Sequence, residues 1–314
     1  MAYFRRVMAW LLFFAGLIAL FFITSRIFIP KDNTEEAGME HVRANGILAE
    51  PPDSIDILVM GDSESYNSYS PLLMWKETGY TSFTCGTDAQ KLTYTKTLLE
   101  RALEKQKPKV VILETLAIYR PIKLDNVVLE ELSSTFPVFR YHDRWKSLSP
   151  ADFTQPVTAT QTHPYKGHAH ITKVVPCDNK EYMHPTDKAA SIALVNQYYV
   201  KAIKELCDRH GAQLLLVSTP SPVNWSYERH NGIQKFADEL GCDYVDLNLE
   251  SLGIDWTKDT FDKGDHLNHF GSVKVTSFLA DYLRDRGGLT DHRTDPAYSG
   301  WDQALKDYEA RLPK

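Results

Sequence analysis

Cysteine is scarce in this chain, with 4 in 314 residues. Cys85, Cys177, Cys207 and Cys242 form no CxxC pair, which removes the usual zinc spacing, and a protein of this size has no need of a disulfide framework. They read as buried thiols, with a single bridge as the alternative. There is also no surplus of positive charge: 35 Lys and Arg stand against 41 Asp and Glu, giving a net charge of -6 and a pI near 6.0. A nucleic-acid surface therefore has no electrostatic basis. Internal repeats are lacking. Charge is absent altogether from Val7 to Thr24, and no small-x-small cleavage site follows that apolar run. What remains, at 43% hydrophobic and 24% charged, is ordinary globular composition with material for a substantial core.

The uncharged run, extended to residue 29, reaches the roughly 20 residues needed to cross a bilayer. With Arg5 and Arg6 before it, the positive-inside bias keeps residues 1–6 in the cytoplasm and places the rest outside. The expectation is an uncleaved signal anchor over 7–29, single-pass in the cell membrane, with an extracytoplasmic domain. Residues 30–53 are polar and end in Pro51-Pro52, so they read as a stalk. The domain proper is expected over 54–287, and 288–314 as a polar tail with a helix at Trp301–Arg311.

Within 54–287, apolar runs alternate with helical periodicity. Strands are expected at Ile55–Met60, Thr81–Thr84, Lys109–Leu113, Gln213–Ser218 and Tyr244–Asp246. Helices are expected near Pro71–Thr78, Asp88–Lys105, Ala189–His210, Tyr227–Leu240 and Phe270–Arg286. This alternation predicts a three-layer α/β/α sandwich on a mostly parallel sheet, flavodoxin-like in class, with ligands beyond the carboxyl ends of the strands. Ser63, Gly86, Glu114 and His266 would converge there. The alternation stops over 119–186, a segment rich in aromatics and histidines, which reads as a cap or substrate-facing insertion.

Two short segments carry the chemistry. Gly61-Asp62-Ser63 follows the first strand, and Asp262-Lys263-Gly264-Asp265-His266 precedes the last helix. A serine hydroxyl is a poor nucleophile at neutral pH unless an imidazole accepts its proton, and that imidazole must be oriented by a carboxylate. Ser63 and His266 supply the first two groups. Asp262 is the preferred orienting acid, because Asp265 adjoins His266 and adjacent side chains normally diverge; Asp265 is the alternative. The plain reading of each segment is a turn, with Asp62, Ser63, Asp262 or Asp265 capping a helix.

These segments resemble SGNH/GDSL-type hydrolases, with Gly61-Asp62-Ser63 as the first block, Gly86 as the second and Asp262 to His266 as the fifth, over roughly Asp53 to Arg286. The resemblance implies a Ser63-His266-Asp262 triad and an oxyanion hole from the N–H groups of Ser63 and Gly86, with no cofactor and no metal. One departure stands out: where the family places Gly-x-Asn-Asp, this chain has Glu114-Thr115-Leu116, and an ionised carboxylate cannot donate to an oxyanion. More narrowly, the anchor, the Tyr141-His142-Asp143-Arg144-Trp145 segment and the Asp265-His266-Leu267-Asn268 ending resemble bacterial SGNH-like proteins that accompany membrane-bound O-acyltransferases. That implies acyl transfer, most simply of acetyl, to a surface polysaccharide or teichoic-acid-like acceptor, or a non-catalytic scaffold beside such a transferase. Arg144, Trp145 and Asn67 are the candidate substrate contacts. His142 and Trp145 otherwise read as packing, Glu64 and Ser65 as polar neighbours of the turn, and His163, His168, His170 and His184 as solvent-facing loop residues.

Overall fold

The computed structural model describes residues 1–178 and 181–312. The chain divides into two compact units, one built from Met1–Val42 with Lys123–Gln161, the other from Arg43–Ile122 with the chain from Thr162 onward. In chain order the elements are α1 (Ala2–Phe28), α2 (Val42–Asn45), β1 (Ile57–Gly61), α3 (Ser63–Ser68), α4 (Pro71–Thr78), β2 (Ser82–Gly86), α5 (Leu92–Leu103), β3 (Val110–Glu114) and α6 (Leu116–Tyr119). They continue with α7 (Leu124–Thr135), α8 (Val138–Tyr141), α9 (Pro150–Thr154), α10 (Leu194–Arg209), β4 (Gln213–Ser218), α11 (Tyr227–Leu240), β5 (Asp243–Asp246), α12 (His269–Arg286) and α13 (Ser299–Glu309).

In the larger unit the strands form one parallel sheet in the order β2-β1-β3-β4-β5. Strands β1, β2 and β3 are buried along their whole length; β1 and β3 are the apolar runs that a sheet covered on both faces requires, whereas β2, Ser82-Phe83-Thr84-Cys85-Gly86, is mostly small and polar. Alternate side chains divide the core. Ile57, Val59, Val110, Ile112, Leu215, Val217 and Val245 join Val275, Leu279, Ala280 and Leu283 of α12 in one apolar cluster. On the opposite face α5 packs on β1 and α10 on β4, where Leu58, Met60, Leu98, Leu99 and Ile203 are fully buried. The strand order reverses direction at β1, so the crevice beyond β1 and β3 is the topological switch point where ligands of such sheets bind.

The expected elements are present within a few residues of their predicted ends, and three expectations need correction. The 30–53 segment is not a free stalk. Asn33 is bound to Gln161 and Thr160, and Asp32 to Thr160, inside the smaller unit, while Ala44, Ile47 and Glu50 are buried in the larger one. The 119–186 segment is not one insertion: 123–161 folds with the N-terminal segment, and 162–178 returns to the larger unit. The residues after 287 do not stand apart from the domain: the expected tail helix is present as α13, the Trp301 ring stacks 5.4 Å from Trp75 of α4, and Asp302 accepts the Trp75 indole N–H at 2.9 Å.

In the smaller unit α1 packs against α8, the 3-10 turn His142–Lys146 and α9. Ring contacts of Phe21 and Phe22 with Phe136, at 5.4 and 5.0 Å, hold the carboxyl-terminal half of α1. At 27 residues, with a window of mean hydropathy 2.5 that is nowhere buried, α1 is long and apolar enough to span a membrane. All four cysteines are free thiols, three of them buried and Cys242 partly so.

Edge strand β2 is covered by the returning segment, because Thr84 N–H donates to the Lys166 carbonyl at 2.9 Å. The covering passes so close that a Cβ on Gly167, at φ 88°, would lie 1.9 Å from the Thr84 carbonyl oxygen. A left-handed conformation alone costs a non-glycine residue about 1–2 kcal/mol. Gly167→Ala is expected to lower unfolding free energy by at least about 2 kcal/mol, read from the urea midpoint; an unchanged midpoint would show that the segment is free to move off β2.

Candidate active site

Asp62 ends the first strand as the N-cap of α3, its Oδ1 accepting the Glu64 N–H at 3.0 Å, and this places Ser63 on the first helical position. Its backbone N–H is then one of the helix donors without an acceptor inside the helix. The capping reading of Asp62 and the nucleophile reading of Ser63 are therefore both satisfied by the same turn. Gly86, the last residue of β2, pairs in register with Gly61. A Cβ there would lie 2.3 Å from Ser65 Oγ and 2.9 Å from the Asp62 carbonyl, so only glycine lets the strand end close against the serine turn.

The histidine arrives from a loop shaped by its own side chains. Lys263 takes a left-handed φ of 66°, folding the chain back so that Asp262 Oδ1 accepts the His266 backbone N–H at 2.7 Å while Oδ2 stands 2.6 Å from Nδ1 of the ring. One carboxylate thus fixes both the backbone and the imidazole, leaving Nε2 to face Ser63 Oγ at 2.8 Å. Asp265 lies 3.9 Å from Nδ1 and is engaged by Asn224 Nδ2 at 2.5 Å. Phe261 stacks on the imidazole, with interplanar angle 12°. Asn268 caps α12 through Phe270 and Gly271 N–H and donates to the Lys258 and Lys173 carbonyls, which fixes the far end of the loop.

Burial alone disfavours a charged His266, but the hydrogen bond to Asp262 and the charges of Asp265, Asp262 and Asp62 outweigh it, and its pKa stands above the ordinary 6.5. Behind the serine, Arg120 donates to Asp62 Oδ2 at 2.6 Å. Glu64 and Glu114 are buried beside it without such a partner. Burial, then the Glu114 and Asp62 charges, hold the Glu64 carboxyl well above its ordinary range against the hydrogen bond from Asn224. Burial and the Asp62 charge do the same to Glu114, although it accepts the Leu116 N–H at 3.0 Å. Both carboxyls are thus biased toward their acid forms, and Glu64 Oε2 has no hydrogen-bond partner.

Other candidates have different surroundings. Asn67 is 2% exposed and donates to the Ser63 carbonyl at 2.8 Å, so its amide supports the serine turn and is closed to substrate. Arg144 is spent within the smaller unit, on the Phe28 carbonyl at 2.6 Å and on Asp152 at 2.7 Å, which leaves no free guanidinium fork for an anionic polymer. Trp145 is exposed in that same unit. The histidines are not the solvent-facing group expected, apart from exposed His184. His168 is fully buried, and His170 and His269 pack edge-on to Tyr308. Burial, with the neighbouring His170 and His269, pushes the His168 pKa down to about 3. Asn224 escaped the sequence reading. Its signal was position, in the loop after β4, at the same carboxyl end of the sheet as Ser63.

No family profile and no curated protein matches the chain. Solved structures that it resembles include a candidate SGNH hydrolase from Slackia heliotrinireducens (11% identity, 73% of this chain and 98% of that one, TM-score 0.43). A lipase/acylhydrolase from Enterococcus faecalis matches at 10% identity over 76% and 98% of the two chains, TM-score 0.41. A psychrotrophic esterase from Pseudoalteromonas sp. matches at 12% identity over 74% and 98%, TM-score 0.40. Structural neighbours are thus SGNH/GDSL hydrolases, at TM-scores too low to carry the chemistry, which rests on the site's own atoms.

Two outcomes follow from the site's charges. A general base must be neutral, so kcat/KM should rise with pH through a limb centred above 6.5. Asp262→Asn should move that limb to lower pH and cut kcat by about 10⁴, as loss of tautomer control does in serine-protease triads; an unmoved limb would disconnect Asp262 from the base. Glu64 has a folded-state pKa raised above its unfolded value, so the stability it contributes is complete below the unfolded carboxyl pKa and is lost as pH rises through the folded one. Glu64→Gln keeps the neutral form and should flatten the fall of the urea midpoint as pH rises above the ordinary carboxyl range. If wild type and variant decline in parallel, Glu64 is not a buried neutral acid.

Proposed function

We propose that this chain is a membrane-anchored serine O-acyltransferase or esterase of SGNH type, acting outside the cytoplasm on an acyl ester, most simply acetyl, of a cell-surface polymer. The observation that carries the reading is the unbroken line of Ser63 Oγ, His266 Nε2, His266 Nδ1 and Asp262 Oδ2 at 2.8 and 2.6 Å. In it Ser63 attacks the acyl carbonyl, His266 takes its proton and returns it to the leaving oxygen, and Asp262 stabilises the imidazolium. The Ser63 and Gly86 N–H groups would hold the oxyanion. The acyl-enzyme is then released to a polymer hydroxyl or to water by the same groups in reverse.

Support for a hydroxyl-rich acceptor comes from a cavity of about 520 Å³ lined by Tyr182, His184, Asn248, Glu250 and Trp256, among others. Asn248 accepts the Ser221 N–H, and Ser221 Oγ donates to the Gly264 and Asp265 carbonyls, so this polar lining adjoins the histidine loop. α1 is the candidate anchor, and an integral-membrane O-acyltransferase is the proposed donor.

A second reading, a non-catalytic partner of that transferase, is favoured by Glu114, which occupies the place where the resembled family has an amide donor. Losing one oxyanion donor typically costs a hundred- to a thousandfold in rate, that is about 10²–10³. Both readings meet one experiment on full-length protein in detergent: labelling by a fluorophosphonate probe and hydrolysis of p-nitrophenyl acetate, for wild type and Ser63→Ala. Wild-type labelling with turnover, both lost by about 10⁴-fold or more in the variant, is expected. Turnover that survives the substitution overturns the nucleophile, and absence of labelling in both proteins favours the scaffold.

A further inference from the structure

Helix α7 of the smaller unit turns its apolar side outward. Leu124, Val128 and Leu132, spaced four residues apart along one line, are 78%, 48% and 39% exposed, and Leu129 beside them is 55% exposed. The inward side is mostly polar: Ser133 is buried, Asn126, Val127 and Glu130 are half-buried, and Glu130 is held by Arg140 at 2.6 Å. That arrangement is the reverse of what a helix facing water adopts, where the apolar stripe meets the core.

The position of α7 relative to α1 says what lies outside it. Phe136, which ends α7, packs on Phe21 and Phe22, and α8 continues the contact along α1. These two rings lie six and seven residues before Phe28, the end of α1, which at 1.5 Å per residue is about 10 Å along the axis. With the span starting at Val7, about 30 Å of hydrocarbon ends near residue 26, so these rings lie roughly 6–8 Å inside its outer edge, within the roughly 5–10 Å to which interfacial helices bury their apolar face. The 3-10 turn that also packs on α1 carries exposed Trp145 with the Lys146 ammonium 5.4 Å from its ring, a pair suited to a membrane interface.

We propose that α7 lies in the interfacial layer of the bilayer crossed by α1, with Leu124, Val128, Leu129 and Leu132 turned toward the acyl chains. The inference rests on the reading of α1 as a membrane span. Its acidic residues, Asp125, Glu130 and Glu131, give α7 no attraction to anionic lipid, so the apolar face and its tether to α1 supply the binding.

The test uses the full chain, with Cys242→Ser removing the one partly exposed thiol, reconstituted alone in phosphatidylcholine vesicles. An environment-sensitive NBD label is placed singly at Leu124→Cys, Val128→Cys, Leu132→Cys, at Ser134→Cys on the opposite side of α7, and at Leu12→Cys within α1. Blue-shifted emission, quenched by lipids brominated on the acyl chain, is expected at 124, 128, 132 and 12, with neither effect at 134. Quenching at 12 without quenching on the leucine side of α7 overturns the inference while leaving the anchor intact. Equal quenching at 134 and 128 overturns the proposed orientation. An unquenched label at 12 removes the membrane span itself, and the inference with it.

Discussion

The Ser63–His266 hydrogen bond joins two residues 203 positions apart, and a nucleophile–base contact is productive only when each partner is held to about half an ångström. The returning segment 162–178 is what supplies that constraint. Along its length the Lys166 carbonyl accepts from Thr84 of β2, Ala169 N–H donates to the Tyr66 carbonyl of the serine helix, and the Ile171 carbonyl accepts from His269. Further on, Val175 N–H donates to Thr260, its carbonyl accepts from Lys263, and Cys177 N–H donates to Trp256. The segment is a backbone brace between the serine turn and the histidine loop, and the triad distance is set by main-chain hydrogen bonds that no side-chain pattern announces.

Around that contact one carboxylate, Asp262, is hydrogen-bonded to the imidazole, while the charges of Asp265 and Asp62 act on it without a hydrogen bond. Asp62 is paired with Arg120, Asp265 accepts from Asn224, and burial, with the Asp62 charge and at Glu64 also the Glu114 charge, raises the pKa of Glu64 and Glu114. Asp262 remains, bound to ring and backbone at once. The raised pKa of Glu114 bears on the departure at the third block. As an acid it has a proton to give, which an ionised carboxylate has not, yet its oxygens are turned to the Leu116 and Thr219 N–H groups. The amide donor of the resembled family therefore has no replacement from this strand end, and the oxyanion would depend on backbone donors.

The sheet was legible because buried parallel strands are nearly pure apolar runs, and Val110 to Leu113 or Leu214 to Val217 admit no other reading at that length. The serine and histidine segments were legible because turn chemistry is local: Asp62 caps α3 and Asp262 reaches forward four residues to His266, whereas the cap of α12 falls to Asn268 and not to Asp262 or Asp265. Short α3 was not foreseen, since six residues give no periodicity. Arg144 read as a free cation because its partners, a carbonyl at Phe28 and a carboxylate at Asp152, are set by tertiary packing. The same holds for the histidines: the spacing of His163, His168 and His170 resembles an exposed loop, and only tertiary packing, with Tyr308 from α13 and His269 from α12 against His170, buries them in whole or in part; burial lowers the pKa of His163, with Arg43 and Lys166, and of His168, with His170 and His269.

Loss of the stalk changes what anchoring would mean. A free linker over 30–53 would let the domain wander by tens of ångströms, at about 3.3–3.6 Å per residue. Instead residues 32 and 33 are bound to 160 and 161, and Ala44 and Ile47 are core residues of the larger unit, so little slack is left in that stretch. The chain passes between the units three times, after Val42, Ile122 and Gln161, so the two units are joined by three covalent connections and not by one tether.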